Sequence, residues 1–157
     1  MSNFADFERI ARAAGNFTEA ADMLDDEHPF EVRNIHSDLP AELRRLFDNA
    51  HYSQATFEAL KYLDEEIQRL SNLLDFGQWL MMAVFNENRR VLVLNALSSP
   101  SEISEQTGYK FIFAGTMSGI RNPRGHKSGV TDDPDQCLDH LSLTSMLLRK
   151  LDEAGLR

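Results

Sequence analysis

Residues 109–127 read Tyr109-Lys110-Phe111-Ile112-Phe113-Ala114-Gly115-Thr116-Met117-Ser118-Gly119-Ile120-Arg121-Asn122-Pro123-Arg124-Gly125-His126-Lys127. The first half has the composition of a helix in its closing turns. The second half predicts an abrupt stop that carries two arginines and a histidine. Pro123 has no backbone donor and biases Asn122 away from helical dihedrals, while Gly125 tolerates dihedrals closed to other residues. In a straight helix, at about 100° per residue, Arg121 and His126 would lie on different faces. A chain that folds back at Pro123 would bring a guanidinium and an imidazole to one point. The stretch therefore predicts two helices joined by a reactive bend.

Charge marks the same stretch. The chain has a formal net charge of -9, yet no Asp or Glu occurs between Glu105 and Asp132. That interval holds Lys110, Arg121, Arg124, His126 and Lys127. A cationic patch on an anionic protein fits a phosphate-binding site that avoids general adhesion to nucleic acid. It equally fits cations that complement the dipole at a helix C-terminus.

Working outward, Ser99-Pro100-Ser101-Glu102 predicts a capping-box start for the helix that contains Tyr109, and Gly115 with Gly119 leaves that helix one bare face. Such a face serves either close internal packing or the seam of a dimer. Asp133-Pro134-Asp135-Gln136 predicts a second box-like start, for a helix with Cys137, Leu141, Thr144, Leu148 and Leu151 on one seam. Upstream, Leu60, Leu63, Ile67, Leu70 and Leu74 predict a long bundle helix, with Asp64-Glu65-Glu66 on its solvated side. A short helix is expected from Pro40 to about Asn49, an apolar one over 76–86, and an extended segment or hairpin arm over 91–94. Residues 2–23 look helical, and Pro29 and Pro40 bracket a linker. The expected fold is an all-α bundle of four to six helices, organised as an N-terminal extension over 1–35 and a helical domain over 36–157.

Composition narrows the chemistry. At 157 residues, 42% hydrophobic and 26% charged, the chain suits one globular domain. Its single cysteine, Cys137, rules out an internal disulfide and lies on an apolar seam, where a thiol is ordinarily inert packing. The five histidines have no H-E-x-x-H spacing, so neither a metal nor a cofactor is expected. No apolar run reaches the length of a membrane span, and the opening residues lack a basic and an apolar targeting region. The cytoplasm is the expected compartment. Neither a phosphate-cradling glycine loop nor a G-x-S-x-G elbow occurs. His51 and His140 are expected to be structural.

That leaves His126 with Arg121 and Arg124. Histidine exchanges protons near neutral pH, and arginine offers a permanently charged fork for phosphate oxygens. The pair can cleave RNA without a metal: the 2′-hydroxyl attacks phosphorus while arginine stabilises the phosphorane oxygens. One imidazole cannot easily serve as both base and acid, which points to two copies of the loop facing each other in a dimer.

Arg121-Asn122-Pro123-Arg124-Gly125-His126 resembles the R-x(4-6)-H motif, often R-N-x-x-x-H, of the HEPN superfamily. More narrowly, the chain is similar to a Ymh-type family of small prokaryotic proteins, through H-Y-S-Q-A-T-F-E-A-L-K-Y-L-D-E, F-I-F-A-G-T-M-S-G-I-R-N-P-R-G-H and L-S-L-T-S-M-L-L-R-K-L-D-E-A, from His36 to Ala154. The resemblance implies an α-helical, homodimeric, metal-independent endoribonuclease, acting as a toxin or effector in prokaryotic antiviral defence or abortive infection. It implies Arg121, His126 and Asn122 as catalytic residues, with Arg124, Lys127 and Lys110 as the cations expected on the RNA substrate. An antitoxin or sensor protein is a further implied partner. Gly125 and Lys127 stand where alanine and an acidic residue are expected. Within the same fold the alternative is a catalytically silent module that binds a protein partner, and nucleotide binding or transfer at the loop is a third reading.

Overall fold

The computed structural model describes residues 27–126 and 129–157, and among these the chain is all-α. The elements are α1 (Pro29–Val32), α2 (Glu42–Asp48), α3 (Tyr52–Ser71), α4 (Gly77–Val84), α5 (Pro100–Thr116), a π-helical turn (Met117–Arg121), α6 (Asn122–His126) and α7 (Pro134–Glu153). The core forms where α3 meets α2 and α7, and where α4 meets α5. Leu60, Leu63 and Ile67 of α3 are fully buried there, as are Phe85, Phe113, Met117, Leu141 and Leu148.

Both capping boxes form. Ser99 accepts from the Glu102 amide and Asp133 from the Gln136 amide, with the reciprocal side-chain bonds in place. The α7 seam is buried along Cys137, Leu141, Thr144, Leu148 and Leu151, as its spacing predicts. The α3 seam ends sooner than expected. Asn72 takes a left-handed conformation with φ 57 and caps α3, so Leu70 is half-buried and Leu74 is 96% exposed.

Residues 91–94 pair with no strand among the described residues. The Leu92 amide donates to the Val84 carbonyl at 2.9 Å, and one buried side chain takes up further backbone groups of the segment. Gln106 accepts from the Leu94 amide at 2.8 Å and donates to the Leu92 and Phe85 carbonyls at 3.0 Å each. A glutamine presents an amide's donor and acceptor together, so it stands in for a partner strand. These bonds also orient α4: its C-terminal end lies by Gln106, and its N-terminal end lies by Asp64, which accepts from the Gly77 amide.

The predicted linker between Pro29 and Pro40 packs on the bundle. Phe30 lies 5.4 Å from Phe47, ring to ring, the His36 amide donates to Ser145 Oγ, and Arg33 pairs with Asp139. Residues 27–35, placed with the N-terminal extension by sequence, therefore sit on the same helical body. The helix expected over 2–23 lies outside the described residues.

Candidate functional site

The chain does not fold back at Pro123. Asn122 is helical (φ -61, ψ -42), and its amide bonds to the Met117 carbonyl, five residues back. A proline inside an α-helix removes one bond and clashes with the carbonyl four residues earlier. Widening the preceding turn to π pitch accommodates the ring without ending the helix, and such turns are frequent at functional sites. The sequence expectation of a stop at Pro123 is corrected accordingly: α5, the π turn and α6 are one continuous, locally widened rod.

Along that rod the predicted residues separate. Arg121 points onto α3, with its side chain 18% exposed and one terminal nitrogen 3.7 Å from Asp64 Oδ2. Its guanidinium carbon lies 5.6 Å from the centre of the Phe57 ring, and it donates at 3.5 Å to Asn122 Oδ1. Its Nε is buried without a partner among the described residues. His126, at the end of α6, is exposed. One chain alone thus presents the imidazole to solvent and holds the guanidinium against its own α3.

Arg124 is committed elsewhere. Its Nε donates to Asp132 Oδ2 at 2.8 Å, a terminal nitrogen donates to Asp132 Oδ1, and another reaches the Ile120 carbonyl at 2.7 Å. Thr56 Oγ1 donates to Asp132 at 3.0 Å, and the Asp132 amide donates to Ser53 Oγ at 2.7 Å. This clamp ties α6 to the approach to α7 and to the first turn of α3. Burial alone would raise the Asp132 carboxyl, but the bonds from Arg124 and Thr56 and the Arg124 charge hold it below the usual carboxylate range. Burial and Arg124 push the neighbouring His140 imidazole down. Burial pushes the Cys137 thiol up to about 11, in keeping with inert packing.

Lys110 also has an internal partner, donating to Glu87 at 2.7 Å with its side chain only 7% exposed. It lies eleven residues before Arg121, about 16 Å along the helix axis. Lys127 lies outside the described residues.

Asp64 is the group that sequence reasoning misplaced. It is buried at 3% exposure rather than on the solvated side of α3. The signal was present: residue 64 follows Leu60 by four and precedes Ile67 by three, inside the apolar stripe. Burial pushes its carboxyl above the usual range, against the opposing pull of the Gly77 amide and Arg121. At this end of α4, Phe76 and Trp79 are 66% and 78% exposed. A Cβ built on Gly108, Gly115 or Gly119 meets nothing within 4 Å of the described chain, and Phe111 and Ile112 on the same side are 58% and 41% exposed.

Among the described residues no group of three or more His, Cys, Asp or Glu side chains could hold a metal ion, and no helix is long and apolar enough to cross a membrane. Fold and site together define an all-α protein whose continuous rod has exposed glycines on one side, an arginine held against α3 and an exposed histidine at its end. Residues 33–151 match the family described as "Protein of unknown function (Hypoth_ymh)", and the chain belongs to that family. No curated protein and no solved structure matches it.

Proposed function

We propose that the protein is a metal-independent HEPN-type endoribonuclease whose active centre assembles from two copies of the rod end. The observation that carries this reading is a rod with an open Gly115–Gly119 side whose end carries the exposed His126 and, turned toward α3, Arg121. Two such faces packed together would bring both histidines to one cleft. One imidazole takes the 2′-hydroxyl proton as the 2′-oxygen bonds to phosphorus. The other protonates the departing 5′-oxygen as its bond to phosphorus breaks. Arg121 stabilises the negative charge on the non-bridging oxygens, and Asn122 bonds beside it. The products are a 2′,3′-cyclic phosphate and a 5′-hydroxyl, with protons balanced by exchange between the two histidines. The biological role that follows is a toxin or effector in defence, acting in the cytoplasm and restrained by a protein partner.

A second reading has its own observation. Arg121 and Arg124 both lie on internal carboxylates, as they would in a silent helical module that binds another protein. Cleavage assays on single-stranded RNA in EDTA separate the two. The ribonuclease reading expects cyclic phosphate ends, no cutting of substrate with a 2′-deoxy at the scissile position, and loss of cutting in His126→Ala and Arg121→Ala. His126→Ala should leave stability within about 0.5 kcal/mol, because its side chain is at the surface. Absence of cleavage by the wild-type dimer refutes it.

A further inference from the structure

Phe57 and Asp64 stand seven residues apart on α3, close to two full turns, and so in one line along the helix. Both face the same guanidinium: Asp64 Oδ2 is 3.7 Å from a terminal nitrogen of Arg121, and the Phe57 ring centre is 5.6 Å from its central carbon. The Phe57 ring occupies the room that a side chain at 125 would need. A Cβ on Gly125 would come within 2.9 Å of Phe57 Cε2. Phe57 is thus wedged between the α6 backbone and the face of Arg121. Asp64 is itself held, because its other oxygen accepts from the Gly77 amide at 2.8 Å. Each component is anchored to a different element.

We propose that Asp64, with Phe57 beneath, forms a cradle that fixes the Arg121 guanidinium, making Asp64 a positioning residue for phosphodiester cleavage. The cradle stands on geometry alone, and its consequence for catalysis rests on the ribonuclease reading. A permanently charged fork on a long flexible stem loses productive geometry easily. A carboxylate on one edge and a ring on one face fix the plane of the fork, and its terminal nitrogens, rather than the buried Nε, would meet a phosphate. A side chain at 125 would have to displace the Phe57 ring that the cradle uses.

The test pairs two readouts on the full chain. Asp64→Asn keeps an oxygen for the Gly77 amide and removes the charge, and Phe57→Leu keeps apolar bulk and removes the ring. With 15N-arginine-labelled protein, the Arg121 Nε–H signal, assigned by its loss in Arg121→Lys, should be dispersed in the wild type. In both variants it should move to the position of a free side chain while far-UV circular dichroism is unchanged. In RNA cleavage, Asp64→Asn should lower kcat on the order of a hundredfold with little change in KM, the signature of a misplaced transition-state contact. An unchanged Arg121 signal in both variants overturns the cradle. A shifted signal with wild-type kcat overturns the positioning role. Shifted signals in both variants, together with no RNA cleavage by the wild type, overturn the ribonuclease reading and leave the cradle standing.

Discussion

Breaking the Arg124–Asp132 clamp should cost stability first and foremost. The side chains are 9% and 3% exposed, so neither charge can be rehydrated in place once its partner is gone. Removing one member of a buried, hydrogen-bonded pair costs about 3 to 5 kcal/mol, because the survivor stays buried and uncompensated. Arg124→Met strands a carboxylate that keeps only Thr56 as a side-chain donor, and Asp132→Leu strands a guanidinium beside His140. The double variant removes both charges and should recover at least about 2 kcal/mol relative to the sum of the singles. Urea denaturation followed by far-UV circular dichroism measures this. Trp79 fluorescence would report poorly, since the indole is already 78% exposed in the folded state. With a slope of about 2 kcal/mol per molar urea, each single variant should move the midpoint down by roughly 1.5 to 2.5 M. The sign with pH follows from the two depressed groups. Asp132 lies below its ordinary value in the fold, so its contribution is present above about pH 4 and is lost as pH falls through the folded pKa. His140 is likewise depressed, so stability begins to fall below about pH 6.5, where the unfolded chain takes up a proton that the fold resists. Asp132→Asn should flatten the lower of these two ranges. Single variants that each cost under about 1 kcal/mol, or a strictly additive double variant, would refute the claim that Arg124 is a structural clamp.

Gln106→Leu should be among the most destabilising single changes, costing about 3 to 5 kcal/mol by urea titration, since it strands the Leu94 amide and the Leu92 and Phe85 carbonyls inside the fold. Retention of more than four-fifths of wild-type stability would show that water satisfies these groups instead. Gly115→Ala should raise monomer stability by up to about 1 kcal/mol, because the added methyl meets nothing within 4 Å and improves helix propensity. Gly115→Arg should leave the fold intact and abolish self-association, read by light scattering after size exclusion; an unaltered dimer would place the interface elsewhere.

The elements most legible in the sequence were those specified by contiguous chemistry. Ser99-Pro100-Ser101-Glu102 and Asp133-Pro134-Asp135-Gln136 each contain both halves of a capping box within four residues, so nothing distant was needed to read them. The seams of α3 and α7 were equally local, being periodic. What could not be read depended on partners far along the chain. Val91-Leu92-Val93-Leu94 looks like a strand because its propensities are those of one, and Gln106 and the Val84 carbonyl take up the bonds a partner strand would supply. Pro123 looks like a stop because the usual rule assumes α pitch on both sides, and a π turn suspends that rule. Arg124 and Lys110 looked available as cations because their carboxylates, Asp132 and Glu87, are separated from them by 8 and 23 residues.

Asp64 shows why the site was harder to read than the fold. A carboxylate on an apolar stripe has a raised pKa when burial outweighs its partners, as it does here. The sign of that shift means the ionised group costs the fold stability at neutral pH, a cost that shrinks as pH falls through the folded pKa toward the ordinary value. Stability alone would therefore favour an amide or an aliphatic residue at position 64. Among the described residues, the cation paired with Asp64 is Arg121, at 3.7 Å and without an ideal hydrogen bond. The Arg124–Asp132 clamp, three residues on from Arg121, is the contrasting case: its carboxylate is depressed and its geometry is bidentate. Arg124 is held by two bonds to one carboxylate and a third to the Ile120 carbonyl. Arg121 is placed by Asp64 on one edge and the Phe57 ring on one face without a bidentate bond, the arrangement needed if its terminal nitrogens must reach a phosphate.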